Sequence, residues 1–300
     1  MSALNNPAHR PRLSLGPILY LWPREQVFDF YAELLETPVD VVYLGETICS
    51  KRRQLKPEDY WELAERVTAA GKQAVISTLA LIESDGELKT LKRICADERF
   101  MIEAGDLAAL DFLEGRPFVA GHSINLYNHR TLAFLAERGL KRWVMPVELG
   151  RATATELLQR RPEGVECELF AFGRLPLAYS ARCFTAYNRG LGKDNCEFCC
   201  GDYPDGVSLN GIQTQSAGTH NLLASLDEVR ALGVDLLRIS PQSKHTADVV
   251  RTFADCLTGD LDPAEGTARL RDWAPSGLCD GYWTGDSGYK VGMPVQGRLG

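Results

Sequence analysis

Four of the nine cysteines of this 300-residue chain lie within the 18 positions from Cys183 to Cys200. Cys183, Cys196 and Cys200 have the spacing C-x12-C-x3-C, and Cys199 offers a C-x2-C alternative with Cys196. Soft thiolates gathered on one loop suit an iron–sulfur cluster or zinc. The sequence between them is rich in Gly and Asn, which favour turns over the continuation of a helix. The loop therefore predicts a metal site, for which a fourth thiolate has to come from elsewhere in the chain.

Three other cysteines, Cys95, Cys167 and Cys256, lie in apolar contexts at strand or helix spacing. A free cysteine is usually a small buried hydrophobe, so these three are predicted to be buried. Packing or disulfide bonding is also the alternative for the loop cysteines. However, adjacent Cys199 and Cys200 cannot easily bridge each other, and no secretory signal places the sequence in an oxidising compartment. A metal site is the better interpretation of the loop.

The composition predicts a globular protein outside the membrane. The chain is 45% hydrophobic, which allows a substantial core. No apolar run approaches the ~18 to 20 residues needed to cross a bilayer. A formal charge of −7 and a pI near 5.4 argue against a nucleic-acid backbone as partner, because that contact needs clustered Lys and Arg. We expect a soluble, cytoplasmic protein.

Short apolar runs alternate with amphipathic segments from Leu13 onwards. Between the runs, apolar residues recur at helical spacing, as at Tyr60, Leu63, Ala64 and Val67. Strands that alternate with helices indicate a parallel sheet, and eight such units indicate a closed (β/α)8 barrel. The predicted fold class is α/β, a TIM-like barrel with a cysteine-bearing insertion after strand seven. The eight apolar runs are 15–20, 41–44, 74–77, 100–102, 118–120, 143–145, 167–172 and 236–239.

A single domain of residues 1–300 is predicted. Residues 1–12 are polar with two prolines and are expected to form a flexible arm, residues 173–233 the insertion, and residues 260–300 a C-terminal extension. Within the insertion, Asn210-Gly211 predicts a hairpin turn between residues 206–209 and 212–214. Two helices have start signals, a capping box at Ser225 and an N-cap at Asp262 before a proline.

Barrels of this kind carry their chemistry on the loops after the carboxyl ends of the strands. The cysteine loop follows strand seven, and Cys49 follows strand two. Both are therefore expected on the same rim of the barrel. Cys49 becomes the candidate for the fourth ligand.

Five features of the sequence recur together in a known family. They are Tyr-Leu-Gly-Glu at 43–46, Cys-Ser-Lys-Arg at 49–52, Tyr-Ser-Ala-Arg-Cys at 179–183, the Cys196 and Cys200 pair, and Leu-Leu-Arg-Ile-Ser-Pro at 236–241. Through them the chain resembles the collagenase-like peptidase superfamily from about Leu13 to Gly259. Relatives carry a His-Gly-x-x-Cys run where this chain has Phe-Gly-Arg-Leu-Pro at 172–176, so that a family cysteine is lost at Pro176. Cys49 replaces it, which is the pattern of the branch that acts in oxygen-independent ubiquinone biosynthesis.

The resemblance implies a cofactor and partners. Cys49, Cys183, Cys196 and Cys200 would hold a 4Fe-4S cluster, and Cys199 could stand in for Cys200, because C-x2-C also suits clusters. The implied protein partners are the related UbiU protein, in a heterodimer, and the lipid-binding accessory protein UbiT. The implied activity is hydroxylation of the ring of a polyprenylated quinone precursor without oxygen, with prephenate as hydroxyl donor. No catalytic residue is assigned.

Polar residues on other rim loops are candidates for substrate binding. Asn125 and Asn128 after strand five resemble a superfamily motif that ends in two asparagines, and could bind a carboxylate or phenol. Either could equally cap the next helix, an alternative that is favoured for Asn128. Glu148 after strand six matches an acidic position of the family. The alternative for Glu148 is a salt bridge to Arg151 or Arg182. His122 is expected to be a hydrogen-bonded rim histidine and not a base.

Two other functions stay open. Other superfamily members hydroxylate RNA, against which the acidic balance of this chain argues. A structural zinc site in a scaffold subunit would need a closed tetrahedron, and four-thiolate zinc sites usually combine two C-x2-C pairs, of which this loop has one. Peptidase activity is not expected, because the sequence has no HExxH, no GxSxG and no convincing pairing of Cys with His.

Overall fold

Eight parallel strands close into a barrel. A computed structural model describes residues 10–113, 115–191, 196, 208–274 and 276–286 of the chain. Its strands are β1 (Arg12–Leu15), β2 (Val41–Leu44), β3 (Gln73–Ser77), β4 (Met101–Ala104), β5 (Phe118–Ala120), β6 (Leu140–Val144), β7 (Glu166–Tyr179), β8 (Ser208–Asn210), β9 (Gln213–Asn221), β10 (Leu236–Ile239) and β11 (Leu278–Cys279). Strands β1 to β7 pair in order, β7 pairs with β10, and β10 pairs with β1, all in parallel. The predicted TIM-like (β/α)8 barrel is confirmed.

Helices connect the barrel strands, and four of those described lie where the apolar spacing predicted them. In the described residues they are α1 (Arg24–Leu35), α2 (Pro57–Ala69), α3 (Asp85–Cys95), α4 (Leu110–Leu113), α5 (His129–Ala136), α6 (Arg151–Gln159), α7 (Phe184–Asn188), α8 (Leu226–Ala231), α9 (Thr246–Thr258) and α10 (Pro263–Arg271). Asp262 caps α10 as predicted, since its Oδ1 accepts the Ala264 N–H at 2.8 Å. Ser225 precedes α8, but its side chain makes no capping bond. None of the helices described is at once long and apolar enough to cross a membrane.

The first strand begins earlier than its apolar run suggested. The sequence placed it at residues 15–20, but β1 begins at Arg12, which pairs with Leu236. Pro17 explains the difference, because proline has no N–H to donate to a neighbouring strand. Arg12, which the sequence assigned to the N-terminal arm, therefore belongs to the barrel. Residues 1–9 of that arm lie outside the described residues.

The barrel interior contains both an apolar cluster and a group of charged residues. Alternate residues of each strand face inwards, as the two-residue period of a strand requires. The apolar cluster is formed by Val41, Tyr43, Val75, Val119, Val144 and Leu236. The charged group consists of Glu103, Arg142, Glu168 and Arg238, each at most 4% exposed. Branched aliphatic residues usually dominate such interiors, so these charges require precise pairing.

The insertion extends the barrel sheet. β7 continues beyond its barrel partners, and β9 returns antiparallel to it, with Phe172 opposite Asn221. Gly173 lies where β7 leaves the barrel, with φ at +126°, and a Cβ there would lie 2.6 Å from Ser240 Cβ. Only glycine fits this position without displacing a neighbour. β11 of the C-terminal segment then adds in parallel to β9.

The hairpin before β9 turns one residue later than predicted. Asn210 pairs with Gln213, so Gly211 and Ile212 form the two-residue connection. Gly211 has φ at +72°, which glycine adopts without strain. The hairpin is confirmed, and the predicted Asn210-Gly211 turn is wrong by one residue.

Candidate functional site

The Glu46 carboxylate organises the loop that carries Cys49. Its Oε1 accepts hydrogen bonds from the backbone N–H groups of Ile48 at 2.9 Å and Cys49 at 3.0 Å. Arg52 Nη1 lies 3.8 Å from the same oxygen, and the Arg52 N–H donates to the Cys49 carbonyl at 2.9 Å. Burial raises the pKa of Glu46, whereas Arg52 and the two N–H donors lower it. These contacts fix Cys49 at the carboxyl end of β2.

Cys183 is the N-cap residue of α7. Its Sγ accepts a hydrogen bond from the Ala186 N–H at 3.4 Å. The Phe184 N–H donates to the Gly211 carbonyl at 3.1 Å, so the hairpin turn holds the start of α7. Hydrogen bonds to cysteine sulfur are one of the means by which proteins tune iron–sulfur clusters.

One backbone carbonyl connects the two cysteine-bearing parts of the chain. The Leu19 carbonyl, which follows β1, accepts hydrogen bonds from Arg52 Nη1 at 3.0 Å and Gln213 Nε2 at 2.9 Å. Both donors are buried, so little water competes for these bonds. Arg52 belongs to the Cys49 loop, and Gln213 begins β9 of the insertion. The insertion is thereby held against the end of β2.

Cys49, Cys183 and Cys196 line one cavity of about 670 Å³. All three side chains are half-buried and none forms a disulfide. The cavity lies at the carboxyl ends of the strands, because its walls come from the loops after β2, β3 and β7. The sequence predicted Cys49 on the same rim as the insertion, and the structure places it there.

The cysteine thiols that line this cavity are the type of ligand that binds an iron–sulfur cluster. Thiolates are the usual ligands of such clusters, and Lys51, Arg53 and Arg182 on the cavity wall can offset their negative charge. Among the described side chains, no group of three or more His, Cys, Asp or Glu is close enough to hold a metal ion. The predicted ligand Cys200 and its alternative Cys199 lie outside the described residues. The four-cysteine ligand set stays a prediction.

The cysteines predicted to be buried differ from those of the cavity. Cys95, Cys167 and Cys256 are at most 2% exposed, which confirms the prediction. Burial raises the pKa of Cys95 and of Cys256 to about 11 and that of Cys167 to about 12. A thiol held protonated in this way is a poor metal ligand and a poor nucleophile. These residues serve packing.

The predicted substrate residues Asn125 and Glu148 lie together on another part of the rim. Tyr127 connects them, since its Oη lies 3.3 Å from Asn125 Oδ1 and also donates to Glu148 Oε1. Partial burial and the Glu148 carboxylate raise the pKa of Tyr127 to about 12. Neither Asn125 nor Glu148 lines the cysteine cavity. Their role in binding stays a prediction.

The alternative roles that the sequence left open were helix capping for Asn128 and a salt bridge for Glu148, and the structure bears out only the first. Asn128 caps α5, because its Oδ1 accepts the Thr131 N–H at 2.9 Å, and this alternative is confirmed. In the part of the chain that the structure describes, Glu148 forms no salt bridge with Arg151 or Arg182. Arg151 instead contacts Glu228 at 2.6 Å.

The sequence profile of peptidase family U32 matches residues 28–290, which is most of the chain. The chain belongs to peptidase family U32. The predicted membership of the collagenase-like superfamily is confirmed at this level.

The U32 barrel has distant likenesses among solved structures. The U32 peptidase Mk0906 is 10% identical with a TM-score of 0.46, over 78% of this chain and 94% of that chain. A dihydropteroate synthase from Xanthomonas albilineans is 17% identical with a TM-score of 0.42, over 83% and 91% of the two chains. A variant O-GlcNAc hydrolase from Thermobaculum terrenum is 13% identical with a TM-score of 0.39, over 88% and 63%. Likenesses of this size carry no argument about activity.

Among the residues that the structure describes, the side chains of His122 and His220 form hydrogen bonds with neither a cysteine nor a serine. Peptide hydrolysis requires an activated nucleophile or water beside a base. His122 Nε2 instead contacts Tyr179 Oη at 2.7 Å, and His220 Nε2 contacts the Phe170 carbonyl at 3.1 Å. Burial and the nearby Arg238 lower the pKa of His122 to about 3. His122 is thus the hydrogen-bonded rim histidine that the sequence predicted.

A buried ionic network in the barrel interior was missed by sequence reasoning. Glu168 Oε1 accepts hydrogen bonds from Arg238 Nε at 2.6 Å and Ser14 Oγ at 2.7 Å, and Oε2 accepts one from Tyr43 Oη. Arg142 Nη1 donates to the same Tyr43 hydroxyl at 3.0 Å. Burial acts to raise the pKa of Glu168, but Arg238 and Arg142 lower it below its ordinary value. Charged residues inside short apolar runs were the available sequence signal.

The network continues from Arg238 towards the rim. Arg238 Nη1 lies 2.8 Å from Glu103 Oε1, and Ser77 Oγ donates to Glu103 Oε2 at 2.5 Å. The Arg238 guanidinium also lies over the Tyr43 ring, 4.1 Å from its centroid. Seven strands, β1 to β4, β6, β7 and β10, are thereby linked through side chains beneath the loops that carry the cysteines.

His220 should make the stability of the protein depend on pH. Burial lowers its pKa from 6.5 to about 4, with the Phe170 carbonyl acting in the opposite direction. Its contribution to stability is therefore fully present above pH ~6.5 and is lost as pH falls towards ~4. We expect wild type to lose about 2 kcal/mol between pH 7 and pH 5 from this residue. Urea unfolding of wild type and His220→Gln at both pH values measures it, since glutamine can keep the hydrogen bond but does not titrate. Equal losses in the two proteins would contradict the assignment.

Proposed function

We propose that this U32 member is a UbiV-type iron–sulfur subunit of an oxygen-independent hydroxylase. With a UbiU-type partner, it would act on the ring of a polyprenylated ubiquinone precursor, supplied by the lipid-binding protein UbiT. The observation that supports the proposal is the cavity at the carboxyl ends of the strands, lined by Cys49 from the second βα loop and by Cys183 and Cys196 from the insertion. The sequence pattern that replaces the cysteine lost at Pro176 by Cys49 is the reason to choose this branch of the family.

Cys49, Cys183, Cys196 and Cys200 would hold a 4Fe-4S cluster, which when bound supplies one-electron transfer. Glu46 holds the Cys49 loop through two backbone N–H groups. Two other features of the cavity would also favour a bound cluster. The Ala186 N–H donates to the Cys183 sulfur, and the cationic side chains on the cavity wall offset thiolate charge.

Hydroxylation without oxygen is a two-electron oxidation of the ring. The ring C–H bond and the C–O bond of the donor, prephenate by family resemblance, would break as the new ring C–O bond forms. The ring hydrogen leaves as one proton together with two electrons, and the donor that gives up hydroxide loses carbon dioxide and becomes aromatic. The two electrons would pass to an external oxidised electron carrier. A subunit that carries electrons at a barrel rim is consistent with this requirement.

A deletion strain tests the proposal directly. We expect it to lack ubiquinone when grown without oxygen and to contain normal ubiquinone when grown in air. Quinone extraction and chromatography from both cultures measure this, and the plasmid-borne wild-type gene is the control. Normal anaerobic quinone together with missing RNA hydroxylation would overturn the proposal in favour of the RNA enzyme.

Metal analysis tests the cofactor separately. The protein purified anaerobically with its UbiU-type partner should contain iron and acid-labile sulfide in equal amounts and absorb broadly in the visible range. Stoichiometric zinc without iron would indicate the structural zinc site instead.

A further inference from the structure

A second cavity, of about 480 Å³, adjoins the cysteine cavity. It lies between α2 and α3 and is closed by the loops after β2 and β3. Its volume is within the range of small-molecule sites, about 300–1,000 Å³. The wall between the two cavities is shared and consists of Ser50, Arg52, Arg53, Leu79, Ser84 and Glu87.

The two ends of this cavity differ in polarity. Five of the six residues of the shared wall are polar or charged. The wall that α2 and α3 form contains the aromatic and aliphatic side chains of Tyr60, Trp61, Leu91 and Ile94, and Thr90 of α3 and Lys56 before α2 also line the cavity. A ligand that fills the cavity must therefore have a polar head towards the cysteines and an apolar body between α2 and α3.

Trp61 is a rigid part of the apolar wall. The guanidinium groups of Arg93 and Arg99 lie 5.1 Å and 5.9 Å from the centroid of its ring, which fixes the indole from outside. The indole offers a large apolar face against which an apolar chain can pack.

Arg53 is the cation of the shared wall that can meet a ligand. Its neighbour Arg52 is buried and donates to the Leu19 carbonyl, whereas Arg53 is exposed and forms no ion pair within the described part of the chain. Glu87 on the same wall accepts a hydrogen bond from the Ser50 hydroxyl at 2.6 Å. An anionic or phenolate oxygen on the ligand head would pair with the Arg53 guanidinium.

We propose that the cavity between α2 and α3 binds a ring that carries a carboxylate or phenol group and an apolar chain, with the oxygen-bearing head at Arg53 and the chain against Trp61. This inference rests on the proposed function, because it identifies where the prenylated precursor would lie on this subunit. It places the substrate beside the cysteines and separates it from the Asn125 and Glu148 cluster.

Binding of 3-geranyl-4-hydroxybenzoate to the anaerobically purified full-length protein tests the site, with tryptophan fluorescence and calorimetry as readouts. We expect saturable binding, and weaker binding by at least about tenfold for 4-hydroxybenzoate without the chain. Arg53→Gln should weaken binding of the geranyl acid about tenfold and leave geraniol unaffected. Ile94→Trp, which fills the apolar end, should weaken both. Lys89→Gln is the matched control, since Lys89 is an exposed cation of α3 that lines neither cavity.

The outcomes distinguish the site from the proposed function. Equal affinity of wild type, Arg53→Gln and Ile94→Trp for the geranyl acid would overturn the site, as would the absence of binding. Arg53 is exposed, so its variant is informative even where Ile94→Trp fails to fold. Binding with the expected losses in a protein that never acquires iron would support the site and overturn the hydroxylase. Undiminished ring hydroxylation in folded Ile94→Trp would overturn the site and leave the hydroxylase standing.

Discussion

Replacement of Cys49 by serine should remove most of the iron and sulfide from the anaerobically purified heterodimer and bleach its visible absorption. Serine retains the size of the side chain but offers a hard oxygen in place of the soft thiolate that iron–sulfur clusters require. Replacing a residue that only hydrogen-bonds to a metal ligand commonly lowers metal affinity about 10–100-fold, and loss of a ligand itself should lower it at least as much. Iron and sulfide counting with absorption spectra measures the effect, and Cys183→Ser should behave in the same way.

Cys256→Ala is the matched control for these two variants. Cys256 is buried in α9, so its replacement tests the loss of one thiol from the packed core without touching the cavity. It should keep the iron content of wild type, with at most a modest loss of stability. Full iron retention in Cys49→Ser would contradict the assignment of Cys49 as a ligand and, with it, the proposed cofactor site.

Glu168→Gln should lower the free energy of unfolding by about 3–5 kcal/mol. The neutral amide would leave the Arg142 and Arg238 guanidiniums in the barrel interior without their shared carboxylate. Both arginines are at most 2% exposed, so water cannot replace the Glu168 carboxylate as their partner. Urea unfolding of the iron-free protein at pH 7 measures the effect without a contribution from metal binding.

Glu166→Gln controls for the removal of a carboxylate from the same strand. Glu166 also contacts Arg142, at 2.8 Å, but its side chain is 37% exposed. Ion pairs that solvent reaches contribute little, so this variant should lose less than about 1 kcal/mol. Similar losses in the two variants would show that burial of the Glu168 pair does not decide the stability of the barrel.

Local sequence patterns predicted the elements of this fold well, and their failures have local causes. The spacing of apolar residues located α1, α2, α5 and α6, and Asp262 marked the start of α10. The first strand was predicted too far along the chain because the run from Leu15 is apolar. Pro17 cannot donate a backbone hydrogen bond to a neighbouring strand, so the strand ends before it. The hairpin turn was displaced by one residue because Gly211 lies at the first position of the connection rather than the second.

The polar content of the barrel could not be predicted in the same way. Glu168 and Arg238 each occupy an inward position of an apolar run, where a charge alone would be strongly unfavourable. Their pairing depends on the parallel alignment of β7 with β10, which brings Leu236 opposite Glu168. A single strand contains no information about that alignment.

The sequence by itself determined the alternation of strands and helices, the caps, the hairpin and the candidate cysteines, because these follow from spacing and from the chemistry of neighbouring residues. Only the tertiary structure decided that Cys49, Cys183 and Cys196 line one cavity and that an amphipathic pocket adjoins it. The physical reason is closure of the barrel. Pairing of β1 with β10 brings distant loops to one rim, where buried bonds such as those to the Leu19 carbonyl hold them together.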